Sequence, residues 1–128
     1  MNFKEFGTIL FVENYEACID FYKNKLQLDV RNEKETLVTF NVTGGYIMVE
    51  KGGFSLAGEK NRQQNPTVLR FDVDALGEAV STLEERGVHF INKRLAFDWG
   101  TIAVFLDPDG NRIELGEISD IIGSFREG

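Results

Sequence analysis

The sequence predicts an α+β fold: two tandem βαβββ modules forming a cup-shaped, curved mixed sheet with the helices outside. Two observations predict it. First, one order of elements (strand, amphipathic helix, short strands, closing hairpin) runs twice along the chain. Laying Val12 on Val73 carries Glu13 onto Asp74, Cys18 onto Ala79, Ile19 onto Val80 and Tyr22 onto Leu83. Second, each half closes on a turn-rich hairpin, Thr43-Gly44-Gly45 in the first and Asp107-Pro108-Asp109-Gly110 in the second. A βαβββ unit covers one sheet face with its helix and leaves the other open. Two such units side by side can curl into a pocket lined by the open faces.

The elements follow in order. Thr8 to Val12 is an apolar, β-prone run. Asn14 is placed to cap a helix whose buried stripe is Cys18, Ile19, Tyr22 and Leu26. Three short strand-like runs come next, "LDVRNE", "TLVTFNV" and "YIMVEK". The stretch "GGFSLAGEKNRQQNP" is Gly-rich, polar and closed by Pro66, and reads as the connector. The second half opens with a strand over Thr67 to Val73, and Asp74 is placed to cap its helix. In that helix Leu76, Ala79, Val80 and Leu83 share a stripe, and Gly87 stops it. "VHFINKR", "TIAVFL" and "RIEL" supply the remaining strands. One domain results, with module one over residues 3–51, the linker over 52–66, module two over 67–118 and a C-terminal tail over 119–128.

Composition narrows the function. The chain has 128 residues, 42% of them hydrophobic, which is enough for a packed core. Its net charge of -7 argues against nucleic acid and anionic membrane as partners, since both require a basic patch. A single cysteine, Cys18, excludes an intramolecular disulfide, and no apolar run is long enough to span a membrane. The N-terminal "MNFKEFG" has no signal-peptide apolar region, so a cytoplasmic protein is expected.

The phrases "IDFYKNKLQL" and "DPDGNRIEL" resemble the vicinal oxygen chelate superfamily, which includes glyoxalase I, extradiol dioxygenases and the bleomycin resistance proteins. The resemblance spans nearly the whole chain. It implies paired βαβββ modules, a homodimer and, in most members, a divalent metal held by one residue from each of four strands. Carried over by position, those places fall at Gly7, Met48, Val68 and Glu114. Only Glu114 retains a ligating group of the family's kind. Gly7 has no side chain, Val68 is a hydrocarbon and Met48 offers a soft thioether. The only histidine, His89, lies far along the chain from these positions and reads as a surface residue. The expectation is therefore a site with no cofactor and no metal.

Alternation along the strands says which side chains share the open face with Glu114. Phe11, Met48, Glu50, Arg70, Asp72 and Arg112 do, while Asp107 and Asp109 read as turn chemistry. Trp99, beside Gly100 in a loop, reads as a pocket wall. Arg70 has two readings: a structural ion pair with a neighbouring carboxylate, or a planar fork offered to an anionic oxygen in place of the metal's positive charge. Glu114 or Glu50, its pKa raised by burial, is a candidate general base, so Glu114 and Arg70 form the candidate catalytic pair. The ligand-binding set is Phe11, Met48, Glu50, Arg70, Asp72, Trp99 and Glu114. The first expectation is a small-molecule-binding protein that sequesters a drug or metabolite. The alternative is a lyase, isomerase or related enzyme acting on a small oxygenated substrate. A third is a vestigial pocket on a protein whose role is association.

Overall fold

The computed structural model describes residues 1–118; the tail expected over 119–128 lies outside the described residues. Two four-stranded sheets carry the fold. In the first module, β1 (Phe6–Val12), β2 (Asp29–Glu33), β3 (Leu37–Val42) and β4 (Gly45–Lys51) form a sheet in the order β1-β4-β3-β2. In the second, β5 (Leu69–Asp72), β6 (Phe90–Phe97), β7 (Gly100–Leu106) and β8 (Arg112–Ile118) repeat that order as β5-β8-β7-β6. In each sheet the first strand runs parallel to the last and the other pairings are antiparallel. The βαβββ repeat read from the sequence is the observed architecture. The described chain separates into two compact units, Met1–Ala57 with Pro108–Gly110, and Gly58–Asp107 with Asn111–Ile118.

In the first unit, helix α1 (Tyr15–Asp20) runs on into a π-helical turn over Phe21–Lys25. The wider turn turns two successive aromatics inward: Phe21 and Tyr22 are both buried and meet edge to face at 5.3 Å. The expected stripe is therefore altered, with Phe21 joining Cys18 and Tyr22 in the core while Ile19 and Leu26 stay half-buried. These side chains pack with Val12, Val38, Phe40, Ile47 and Val49, all fully or nearly fully buried.

The expected helix caps are corrected. Asn14 makes no side-chain cap bond; instead the Glu13 and Asn14 amides donate to the Asp109 carboxylate at 2.7 and 3.0 Å. Asp109 therefore does more than shape its own turn. Its partners lie about 95 residues away in sequence, which no local turn rule could reveal. Asp107 does bond locally, accepting from the Asn111 backbone and side chain at 2.9 Å each.

In the second unit, α2 (Leu76–Glu85) buries Leu76, Val80 and Leu83, with Val88, Ala103, Phe105, Ile113 and Leu115 completing the core. Asp74 does not cap this helix. The N-cap is Ala75, and the Leu76 amide donates to the Glu117 carboxylate at 2.8 Å. Gly87 ends the helix at φ 89°, a left-handed conformation that favours glycine. The opening strand is shorter than expected, Leu69–Asp72, leaving Val68 just outside it.

Candidate functional site

The parallel pairing in the second module sets Arg70 of β5 beside Glu114 of β8 in register, and Asp72 beside Gly116. Residues two apart on a strand point the same way, so Arg70, Asp72, Arg112, Glu114 and Gly116 share the face turned away from the buried Ile113 and Leu115. Glu114 is 7% exposed and its two oxygens are divided between two arginines. Arg70 Nε donates to Oε1 at 3.0 Å, and Nη2 forms an ion pair with the same oxygen at 2.9 Å. Arg112 Nε donates to Oε2 at 2.8 Å. Arg112 is itself held from the linker, its Nη1 lying 3.4 Å from Glu59, which also pairs with Arg62 at 3.2 Å.

The two arginines favour the charged form of Glu114. Burial pushes its carboxyl up, but the hydrogen bonds and charges of Arg112 and Arg70 outweigh burial and hold it below the usual carboxylate range. The raised pKa expected for a general base is thus overturned. The physical reason is a second arginine on this face, Arg112, which shares the carboxylate with Arg70. Burial pulls the Arg112 guanidinium down, its bonds to Glu114 and Glu59 push it up, and the net shift is upward.

Arg70 is the exposed member of this group. Its side chain is 38% accessible against 9% for that of Glu114. The guanidinium carbon lies 5.0 Å from the centroid of the Trp99 ring, and Trp99 stacks on Phe97 with centroids 5.0 Å apart and planes 2° from parallel. Arg70, Glu114 and Trp99 are thereby brought together. Asp72 lies on the same face and is exposed rather than buried.

In the first module, the corresponding face carries Gly7, Ile9 and Phe11 of β1 against Tyr46, Met48 and Glu50 of β4. Phe11 is the register partner of Glu50, and Met48 of Ile9. Met48 and Glu50 are half-buried, while Phe11 is 50% exposed. A Cβ at Gly7 would collide with the Tyr46 ring, which fills the space a side chain there would need. Arg31 stacks on that ring at 5.1 Å and grips Glu5 through two bonds of 2.9 and 2.6 Å.

The residues do not suit a divalent metal. At the four family positions, the space at Gly7 is taken by an aromatic ring, Met48 and Val68 lack hard donors, and both oxygens of Glu114 are engaged by arginines. Among the described residues, no cluster of three or more His, Cys, Asp or Glu side chains could hold an ion. Also among them, no helix is long and apolar enough to cross a membrane.

Residues 6–119 match the glyoxalase-like domain family. The fold is shared with a glyoxalase/bleomycin resistance protein/dioxygenase from Nocardioides (TM-score 0.73, 16% identity, covering 92% of this chain and 85% of that one). It is shared too with a glyoxalase family protein from Enterococcus faecalis (TM-score 0.73, 23% identity, 91% and 100% covered). A lactoylglutathione lyase from Agrobacterium tumefaciens is similar as well (TM-score 0.68, 18% identity, 87% and 90% covered). At these identities the likeness establishes the fold and no activity. No curated protein matches the chain.

Proposed function

The chain belongs to the glyoxalase-like domain family, and from that premise we propose that it binds a small organic anion without a metal, sequestering a drug or metabolite. The observation that carries this reading is the arrangement around Arg70. Its Nε and Nη2 are spent on Glu114, whereas Nη1 has no partner among the described residues. One edge of a half-exposed, always-charged fork is thus left for a ligand, beside the Trp99 and Phe97 rings. Arg112 keeps Glu114 neutralised from the other side, so Arg70 can engage a second anion without stranding a buried carboxylate.

Catalysis by Glu114 is the weaker reading. A carboxylate that accepts from two guanidinium groups and is held below its ordinary pKa is a poor proton acceptor near neutral pH. A homodimer in the cytoplasm completes the proposal, with exposed Ile9 and Phe11 on the edge strand β1 as apolar surface needing cover. Light scattering that finds a monomer across micromolar concentrations contradicts the dimer.

The reading is tested by elemental analysis of the purified protein together with titration of small carboxylates in the presence of a chelator. Metal well below one ion per chain and binding unaffected by chelator are expected. Stoichiometric divalent metal that is lost in Glu114→Ala overturns the proposal.

A further inference from the structure

Asp72 has a place in the second sheet that its neighbours leave open. It follows Arg70 by two residues on β5, so the two oppositely charged side chains leave one face about 6.6 Å apart. The two do not pair. Arg70 is drawn sideways to Glu114 and Trp99, and Asp72 makes no hydrogen bond or ion pair among the described residues. Gly116 provides the common ground between them. A Cβ added there would stand 2.7 Å from Asp72 Oδ1 and 3.2 Å from Arg70 Cδ. Both side chains therefore lie over a strand position that holds no side chain of its own. The result is a donor edge at Arg70 and an acceptor at Asp72, separated by a gap that neither closes.

We propose that the second sheet takes an acid carrying a hydrogen-bond donor on the carbon next to the carboxylate, with Arg70 receiving the acid and Asp72 the donor. This rests on the reading of Arg70 as the anion-binding group. Such a ligand carries its acid and its donor on neighbouring atoms, and each end makes one hydrogen bond of about 2.9 Å, the acid with Arg70 and the donor with Asp72. An ammonium donor is preferred to a hydroxyl, since it places a positive charge on Asp72 and makes that bond charge-assisted. The wall formed by Trp99 and Phe97, the latter 49% exposed, accepts a planar or apolar substituent on the same molecule.

Three probes that differ in one group separate the parts of this proposal: 3-phenylpropionate, 3-phenyllactate and phenylalanine. Their affinities are measured by two-dimensional amide NMR titration against the wild-type chain, Asp72→Ala and Arg70→Met, the same spectra reporting whether each variant is folded. In the wild type, phenylalanine should bind about tenfold tighter than 3-phenylpropionate, the worth of one charge-assisted bond, with 3-phenyllactate between them. In Asp72→Ala the three should converge on the affinity of 3-phenylpropionate. In Arg70→Met all three should weaken together. Equal affinities in the wild type, or a preference that survives Asp72→Ala, overturn the role of Asp72 while the Arg70 reading stands. Unchanged affinities in folded Arg70→Met, or no binding of any probe to the wild type, overturn both.

Discussion

The two modules share a strand order and a register but carry opposite chemistry on corresponding faces. In the first, Ile9 is paired with Met48 across the parallel ladder; in the second, the corresponding pair is Arg70 with Glu114. Tyr46, one step along β4, corresponds to Arg112 on β8, and Glu50 to Gly116. The helices on the other faces are interchangeable in kind, with buried apolar stripes on both. The comparison shows that the repeat constrains the helix-facing side of each sheet, where packing decides, and leaves the other side to diverge. At the paired positions an ionic group has gathered on the second module, while the first carries Ile9 and Met48 there, flanked by Tyr46 and Glu50.

That comparison can be broken in several ways. The largest effect is expected from Glu114→Gln, which keeps the shape and removes the charge. Arg70 and Arg112 would then face each other across a neutral amide, and stability should fall by about 3 kcal/mol, as it does when one member of a buried ionic group is removed. Urea denaturation at neutral pH measures it. The matching change in the first module, Met48→Leu, should alter stability by less than about 1.5 kcal/mol, because volume is conserved and no charge is stranded. Similar losses in the two modules would erase the distinction between them.

Gly7→His comes next. It reinstates the residue type that the family's metal site uses, but the imidazole must displace the Tyr46 ring and disturb its stacking with Arg31. Overpacking of this kind should destabilise by about 1–3 kcal/mol and yield no metal binding, as thermal unfolding with and without added divalent ions would show. A stabilising response to metal would mean that the first module retains the remaining ligands after all.

The triple change Arg70→Ile, Arg112→Tyr and Glu114→Met writes the first module's residues into the second. Replacing an ionic group by packed apolar residues is often close to neutral, so the fold should survive within about 1–2 kcal/mol while binding of organic anions disappears. Retained binding would place the anion elsewhere.

The smallest effect concerns pH. The folded-state pKa of Glu114 is lowered, so the stability it contributes is fully present above the ordinary carboxyl range and is lost as pH falls through the lower, folded value. Acid titration of stability should therefore be shallower at low pH in Glu114→Gln than in the wild type.

Much of this was legible in the sequence. The repeat gave the topology, because hydrophobic period and turn residues are local signals. Strand alternation placed Arg70, Arg112 and Glu114 on one face, and the register brings Arg70 and Glu114 into contact. What escaped depends on partners remote in sequence. Asp109 looked like a turn residue and reaches the start of α1; Glu59 looked like linker and anchors Arg112. Tyr46 over Gly7 could not be inferred, since glycine spacing does not say which ring will fill the gap. The π-helical turn escaped because its residues fit an α-helical stripe almost as well.

The central claim is that an arginine of the second module supplies the positive charge that holds the ligand. Isothermal titration of 3-phenylpropionate into folded Arg70→Met, in excess chelator and beside the wild type, tests it most directly. The account predicts an affinity loss of about tenfold or more, about 1.4 kcal/mol, with the fold intact. Wild-type affinity in that variant would contradict it.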